Sequence, residues 1–165
     1  SRTLKSMNRK YTAEEFEESI ALIRKRFPNA GITTDIIVGY PTETEEQFNE
    51  TLEFARRVKF SDIHAFPFSM REGTVAAKLN DLPEGVKKER LNKMLALKNE
   101  LKSNFINSNL NLSHSVIFEE QDGEYMVGYT ANYIKAYLKS SFEPCKKEVV
   151  LTHPYKDGAI CKIKE

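Results

Sequence analysis

The hydrophobic period changes once along this chain. The change falls on a stretch with no period of its own, Asn107-Ser-Asn-Leu-Asn-Leu-Ser113. Before it, apolar residues recur at helical spacing between short β-branched runs; after it, they alternate. Such a chain reads as an α/β part followed by an all-β part. The polar stretch marks the boundary, so the expected domains are residues 1–110 and 111–165. At 165 residues there is enough chain to build a core in each.

The first part begins with Thr12-Ala-Glu-Glu15, which has the form of a capping box, and a helix is expected from Ala13 to Arg26. Its apolar face would carry Phe16, Ile20, Ile23 and Phe27, with Pro28 and Gly31 stopping it. Ile32-Thr-Thr-Asp-Ile-Ile-Val38, bounded by Gly31 and Gly39, reads as a strand buried on both faces. A second capping box, Thr44-Glu-Glu-Gln47, opens a helix with Phe48, Leu52 and Ala55 inward, and Ile63–Phe68 follows as a second strand. The α-β-α-β order belongs to a parallel sheet or barrel larger than these elements. A long helix from Pro83 to about Asn107, capped near Asp81, then carries Leu91, Met94, Leu95, Leu101 and Phe105 on its apolar side.

In the second part short strands are expected near Val116–Glu119, Tyr125–Thr130, Tyr133–Leu138, Glu148–Leu151 and Ala159–Ile163, with Asp122-Gly123 as a hairpin signal. These five strands in so short a span fit a small β-barrel of the oligonucleotide-binding kind.

Charge nearly balances, with 25 basic and 24 acidic residues, but two basic islands stand out, residues 1–26 and 87–102. They suit either phosphate contact or a solvated helix face. No apolar run approaches the ~18 residues of a membrane span, and the first ten residues hold nothing like a signal peptide, so a soluble, cytoplasmic chain with no membrane partner is expected. Cys145 and Cys161 are too few and too far apart for a disulfide scaffold or a metal site, and His64, His114 and His153 are scattered. Hydrolase and nucleoside-triphosphatase motifs are absent from the sequence.

Two constellations could carry chemistry. Gly39-Tyr-Pro-Thr-Glu43 follows a parallel strand at its C-terminal end, where ligands lie in α/β architectures. Asp35, within the apolar strand, has to be paired or ligand-facing, because an isolated buried carboxylate is costly, and Glu43 is equally a carboxylate suited to the start of the next helix. On a later strand Tyr133, Lys135, Tyr137 and Lys139 alternate with Ile134, Ala136 and Leu138, which puts rings and ammonium groups on one face, as an RNA-binding sheet needs.

Met7-Asn-Arg-Lys-Tyr11, Thr33-Thr-Asp-Ile-Ile-Val-Gly-Tyr-Pro-Thr-Glu-Thr44 and Phe66-Pro-Phe-Ser-Met-Arg-Glu-Gly-Thr74, in this order, resemble the radical S-adenosylmethionine methylthiotransferases. The C-terminal segment is similar to their TRAM domain, a small RNA-binding barrel. Val127-Gly-Tyr-Thr-Ala-Asn-Tyr-Ile134 looks most like the MtaB-type branch, which acts on N6-threonylcarbamoyladenosine in tRNA. The resemblance implies the last strands and helices of a partial (β/α) barrel followed by a TRAM barrel.

For the whole enzyme the resemblance implies S-adenosylmethionine and two 4Fe-4S clusters as cofactors. Radical chemistry would place a methylthio group on carbon two of the adenine, beside the anticodon, with the tRNA anticodon stem-loop as partner. The family's Cys-x-x-x-Cys-x-x-Cys motif is missing here, so these residues are expected to be a C-terminal part, inactive alone, holding no catalytic residue, no metal ligand and only part of the S-adenosylmethionine site. Asp35, Gly39 and Glu43 would line that site, Gly39 allowing close approach of the ligand, and Phe66 and Pro67 would border the adenine. Arg9 would face cofactor or substrate and Arg71 cofactor or nucleic acid, while Tyr129, Asn132, Tyr133 and Lys135 would belong to the RNA surface.

Relatives acting on isopentenyladenosine in tRNA or on an aspartate of a ribosomal protein are the nearest alternatives, and a stand-alone RNA-binding module is the alternative of another class. Barrel strands without neighbours would also leave an exposed edge, through which the chain is expected to self-associate.

Overall fold

The computed structural model describes residues 2–164, which divide into two compact units between Leu101 and Lys102. The first unit holds α1 (Arg2–Ser6), α2 (Ala13–Arg26), β1 (Thr33–Val38), α3 (Glu45–Val58), β2 (Asp62–Pro67), a 3-10 turn over Val75–Lys78 and most of α4 (Glu84–Ser108). Both capping boxes form: the Thr12 and Thr44 hydroxyls accept from the Glu15 and Gln47 N–H groups, and those two side chains accept from the cap residues' own N–H groups. α3 ends at Lys59 in a left-handed conformation (φ 55°), and the Lys59 carbonyl accepts from Arg24 at 2.7 Å.

β1 and β2 are parallel, with Thr34 opposite Ile63, Asp35 opposite His64 and Ile37 opposite Phe66. One face of this pair meets the helices. Ile36, Val38, Ile63 and Ala65 pack there with Ile20 of α2, Phe48, Leu52 and Ala55 of α3, and Met94, Leu97 and Leu101 of α4. The other face is open, with Asp35 and His64 exposed and Ile37 and Phe66 exposed to 44% and 46%. This corrects the expectation of a strand buried on both sides, since the helices cover one face only. Ile23 and Phe27 of α2 also remain exposed, so the buried stripe of that helix is narrower than its spacing suggests.

The second unit is a closed barrel of β3 (Ser113–Asp122), β4 (Tyr125–Thr130), β5 (Lys135–Lys139), β6 (Cys145–Tyr155) and β7 (Gly158–Ile163), in the spatial order β3-β4-β5-β7-β6. β3 and β6 run several residues beyond the spans the alternation marks out. Neighbours are antiparallel except β5 and β7, which pair in parallel over Ala136–Ala159, Tyr137–Ile160 and Leu138–Cys161. Inward residues Val116, Phe118, Met126, Ala136, Leu138, Val149, Leu151 and Ala159 fill the interior, joined by Ile106 of α4. The hairpin turn after β3 is made by Gly123 at φ 60°.

Cys161 lies in this core, and burial pushes its thiol up to about 12, whereas Cys145 is exposed. Because the thiolate is the reactive form, a disulfide-exchange reagent at pH 8 should titrate Cys145 at once and Cys161 only as fast as the barrel opens. Simultaneous reaction of both thiols would show that the core is not closed in solution.

Candidate functional site

The C-terminal ends of β1 and β2 lead into the first group of candidate residues. After Val38 the chain turns at Gly39 (φ 73°), and the Glu43 N–H closes the turn on the Tyr40 carbonyl at 2.8 Å. Asp35, Ile37 and Phe66 stand on the open sheet face, with Pro67 exposed at the end of β2. His64, which the sequence offered only as a scattered histidine, lies directly across from Asp35 in the parallel register. The pairing of the two strands was the signal that places it there. Because Asp35 is exposed, its position in an apolar run imposes no desolvation penalty.

Glu43 is turned into the protein. Its carboxylate accepts from the Gly39 N–H at 2.8 Å and from Arg90 at 2.7 Å, and the same Arg90 nitrogen donates to the Glu43 carbonyl at 3.0 Å. Glu43 and Arg90 are 6% and 5% exposed. Gly39 has a structural reason to lack a side chain: a Cβ there would lie 2.5 Å from the Cγ of Lys87. The space beside its Cα is therefore filled by the Lys87 stem. Tyr40 is buried edge-on against Phe68 and donates its hydroxyl proton to the Ser6 carbonyl at 3.2 Å. Arg9 and Arg71 are both exposed, Arg9 just beyond α1 and Arg71 in the loop after β2, where its carbonyl accepts from the Thr74 hydroxyl.

The basic island at residues 87–102 is largely neutralised within the first unit. Lys87 pairs with Asp81 and Glu84, Arg90 with Glu43 and Glu45, Lys93 with Glu45 and Glu89, and Lys98 with Asp62. Asp81 accordingly holds the Lys87 ammonium and the Leu82 N–H. A phosphate would have to compete with these carboxylates.

The second group lies on the outside of the barrel. Residues paired across strands project from the same face, and the register sets Lys146 of β6, Ile117 of β3, Tyr129 of β4 and Lys135 of β5 in one transverse row. Ile117 and Tyr129 are exposed. Tyr133 projects beside this row from the β4–β5 turn, 85% exposed and at φ 65°.

The turn itself is tightly held. Tyr133 N–H donates to the Thr130 carbonyl, the Thr130 hydroxyl donates to Asn132 and accepts from the Ile134 N–H, and the Asn132 amide donates to Asn109. Asn132 thus anchors the turn that displays Tyr133.

Tyr137 departs from the expected exposed ladder. Its ring does leave the core side of β5, but Tyr125 and Tyr155 cover it and its hydroxyl is hydrogen-bonded to Asp157, so it is buried. Burial, together with the Asp157 hydrogen bond and charge, raises its pKa strongly. Lys135 lies 5.4 Å from the Tyr137 ring centroid, so that cation borders the tyrosine cluster as well as the exposed row.

Among the described residues no group of three or more His, Cys, Asp or Glu side chains could hold a metal ion, and no helix is long and apolar enough to cross a membrane. With Cys145 on the surface and Cys161 inside the barrel, these residues do not fit an iron–sulfur cluster. The open sheet face sets an aromatic ring and an aliphatic side chain beside a carboxylate and an imidazole, groups that could stack on a base and bond its polar atoms.

Residues 1–55 match the Radical SAM superfamily. The chain is 39% identical to the threonylcarbamoyladenosine tRNA methylthiotransferase MtaB of Bacillus subtilis (strain 168) over 173 residues, covering 98% of this chain and 38% of that relative. It is 46% identical over 134 residues to the tRNA-2-methylthio-N(6)-dimethylallyladenosine synthase of Oceanobacillus iheyensis, covering 79% of this chain and 26% of the relative. With the synthase of that name from Bacillus subtilis (strain 168) the identity is 52% over 102 residues, covering 61% of this chain and 20% of the relative. The chain therefore spans well under half the length of these relatives.

Proposed function

We propose that this chain forms part of a tRNA methylthiotransferase that uses S-adenosylmethionine, with the α/β unit contributing a share of the cofactor pocket and the barrel binding the RNA. The observation that carries this reading is the 39% identity to a threonylcarbamoyladenosine tRNA methylthiotransferase, maintained over 98% of the chain. The dimethylallyladenosine synthases named above align with 79% and 61% of it, and this difference in coverage favours threonylcarbamoyladenosine as the modified nucleoside. The setting would be the cytoplasm, where tRNA is modified.

On the α/β unit, Phe66 and Ile37 would hold the adenine of S-adenosylmethionine, with Pro67, at the end of β2 opposite Val38, only at its border, and Asp35 and His64 would meet its polar groups. When bound, the cofactor supplies the methyl group and the precursor of the hydrogen-abstracting radical. Glu43 would act on the pocket through the loop it braces. Cluster ligands would come from outside these residues. Arg9, exposed just beyond α1, and Arg71, exposed in the loop after β2, would meet cofactor or RNA phosphate. In the barrel, Tyr129 and Tyr133 would stack on unpaired bases of the anticodon stem-loop while Lys135 and Lys146 meet phosphates.

The direct test is mass spectrometry of tRNA nucleosides from cells lacking the gene and from cells with it restored. Loss and return of methylthio-threonylcarbamoyladenosine supports the reading. Loss of the methylthio-dimethylallyl nucleoside would move the substrate to the other relatives' chemistry, and no change in either would leave an RNA-binding protein.

Tyr133 offers a sharper test of the barrel's part. A non-glycine residue in the left-handed region costs about 1–2 kcal/mol, partly offset by the greater unfolded-chain freedom of glycine. Tyr133→Gly should therefore raise barrel stability by up to about 1 kcal/mol in chemical denaturation. A base–aromatic stack contributes about 1–3 kcal/mol, so affinity for an anticodon stem-loop should fall roughly tenfold in the same variant. Unchanged RNA affinity would remove Tyr133 from the interface.

A further inference from the structure

Two cations on α4 are among the most buried residues of the α/β unit, Lys87 at 2% exposure and Arg90 at 5%. Burying a charge is unfavourable unless it is paired and hydrogen-bonded, and both are paired toward the same place, the loop that follows β1. Arg90 reaches both ends of Glu43: one guanidinium nitrogen bonds the carboxylate at 2.7 Å and the backbone carbonyl at 3.0 Å. The carboxylate continues the chain of bonds to the Gly39 N–H at 2.8 Å. The remaining nitrogens of Arg90 turn to Glu45 at 3.3 and 3.4 Å, and its guanidinium carbon lies 5.5 Å from the Phe48 ring centroid. Beside it, the Lys87 stem fills the space next to the Gly39 Cα, while its ammonium group is held by Asp81 and Glu84.

We infer that Arg90 and Lys87 are positioning residues for the cofactor loop: they fix the backbone of residues 39–43 from the α4 side through Glu43 and Gly39, so that the loop is shaped before any ligand arrives. This rests on the reading that the loop borders S-adenosylmethionine. Arg90 fixes the two ends of the loop relative to each other, and the Lys87 stem excludes the conformations in which Gly39 would settle inward.

The experiment has two arms. In the first, hydrogen exchange of the 165-residue chain is compared for wild type, Arg90→Met, Lys87→Met and Glu43→Gln/Arg90→Met. Arg90→Met should speed amide exchange across residues 39–43 at least tenfold while β3–β7 are unaffected, and Lys87→Met, which keeps the stem, should leave the loop protected. The double variant removes both buried charges, so its melting temperature should recover. Its loop should stay labile, because methionine gives the carbonyl of residue 43 no donor.

In the second arm, equilibrium binding of S-adenosylmethionine and of tRNA is measured in the intact enzyme. Arg90→Met and the double variant should both weaken S-adenosylmethionine about tenfold and leave tRNA affinity within twofold. Recovery of cofactor affinity together with melting temperature in the double variant would overturn the proposal and make the ion pair an element of the fold alone, as would wild-type loop protection in Arg90→Met. Failure of the wild-type enzyme to bind S-adenosylmethionine would instead remove the reading of the pocket, while the exchange arm still decides what holds the loop.

Discussion

Alanine at Gly128 should unfold the barrel at temperatures where the wild-type chain is native. Gly128 sits opposite Phe118, where the β3–β4 register shifts between Phe118 and Glu120. A Cβ on it would lie 2.0 Å from the Ile117 carbonyl oxygen and 2.8 Å from the Phe118 Cα. Those atoms are backbone held in a ladder on both sides, since β3 pairs with β4 and with β6. Nothing flexible can give way. Overpacking of a well-filled interior costs about 1–3 kcal/mol, and an obstacle made of main chain belongs at the top of that range.

A loss of about 3 kcal/mol multiplies the open population roughly a hundredfold, at tenfold per ~1.4 kcal/mol. The rate at which Cys161 becomes accessible to a thiol reagent should rise by that factor, with the melting temperature falling in parallel. Wild-type labelling kinetics in Gly128→Ala would mean that β3 and β4 can separate locally without loss of the barrel.

Glu43→Ala should be the most damaging substitution of a charged residue in the first unit. It takes from the Arg90 guanidinium, at 5% exposure, its shortest carboxylate bond and removes the acceptor of the Gly39 N–H. Breaking one side of a buried pair costs about 3–5 kcal/mol, and because Glu45 at 3.3 and 3.4 Å and the carbonyl of residue 43 still hold the guanidinium, the loss belongs at the lower end of that range. The contrast is Glu17, whose contact with Arg57 has bidentate geometry at 2.9 to 3.1 Å but is solvent-exposed. Glu17→Ala should lie within about 1 kcal/mol of wild type. Denaturant titration of the two variants checks the ordering, and equal losses would mean that water reaches Arg90 in solution.

Local signals carried much of this fold. Each capping box names its own hydrogen bonds within four residues, and the strand pattern after Ser113 announces side chains that alternate about a barrel wall. Signals that depend on tertiary partners were not legible. Lys87 and Arg90 look like any solvated helix face until the loop after β1 is packed against them. Alternation correctly turns Tyr137 away from the core, but only the approach of Tyr125 and Tyr155 makes it buried. His64 joined Asp35 through a parallel register that no local pattern encodes. Asn132 reads as a polar group free for RNA, yet its amide is needed for the turn.

The spatial order of the barrel bears on how it comes to be made. The last strand in sequence, β7, lies between β5 and β6. The hairpins β3–β4 and β4–β5 pair residues close in sequence and can form as soon as they are synthesised, whereas β7 must insert into a gap whose far wall, β5, was laid down well before it. Loop-closure entropy disfavours such long-range pairing until late. The seam is therefore sealed only when β7 becomes available, and until then the β5 and β6 edges stay open to other chains. β7 thus acts as a checkpoint: a chain cut short before it cannot enclose the barrel core, and its exposed edges mark it for chaperones and proteases.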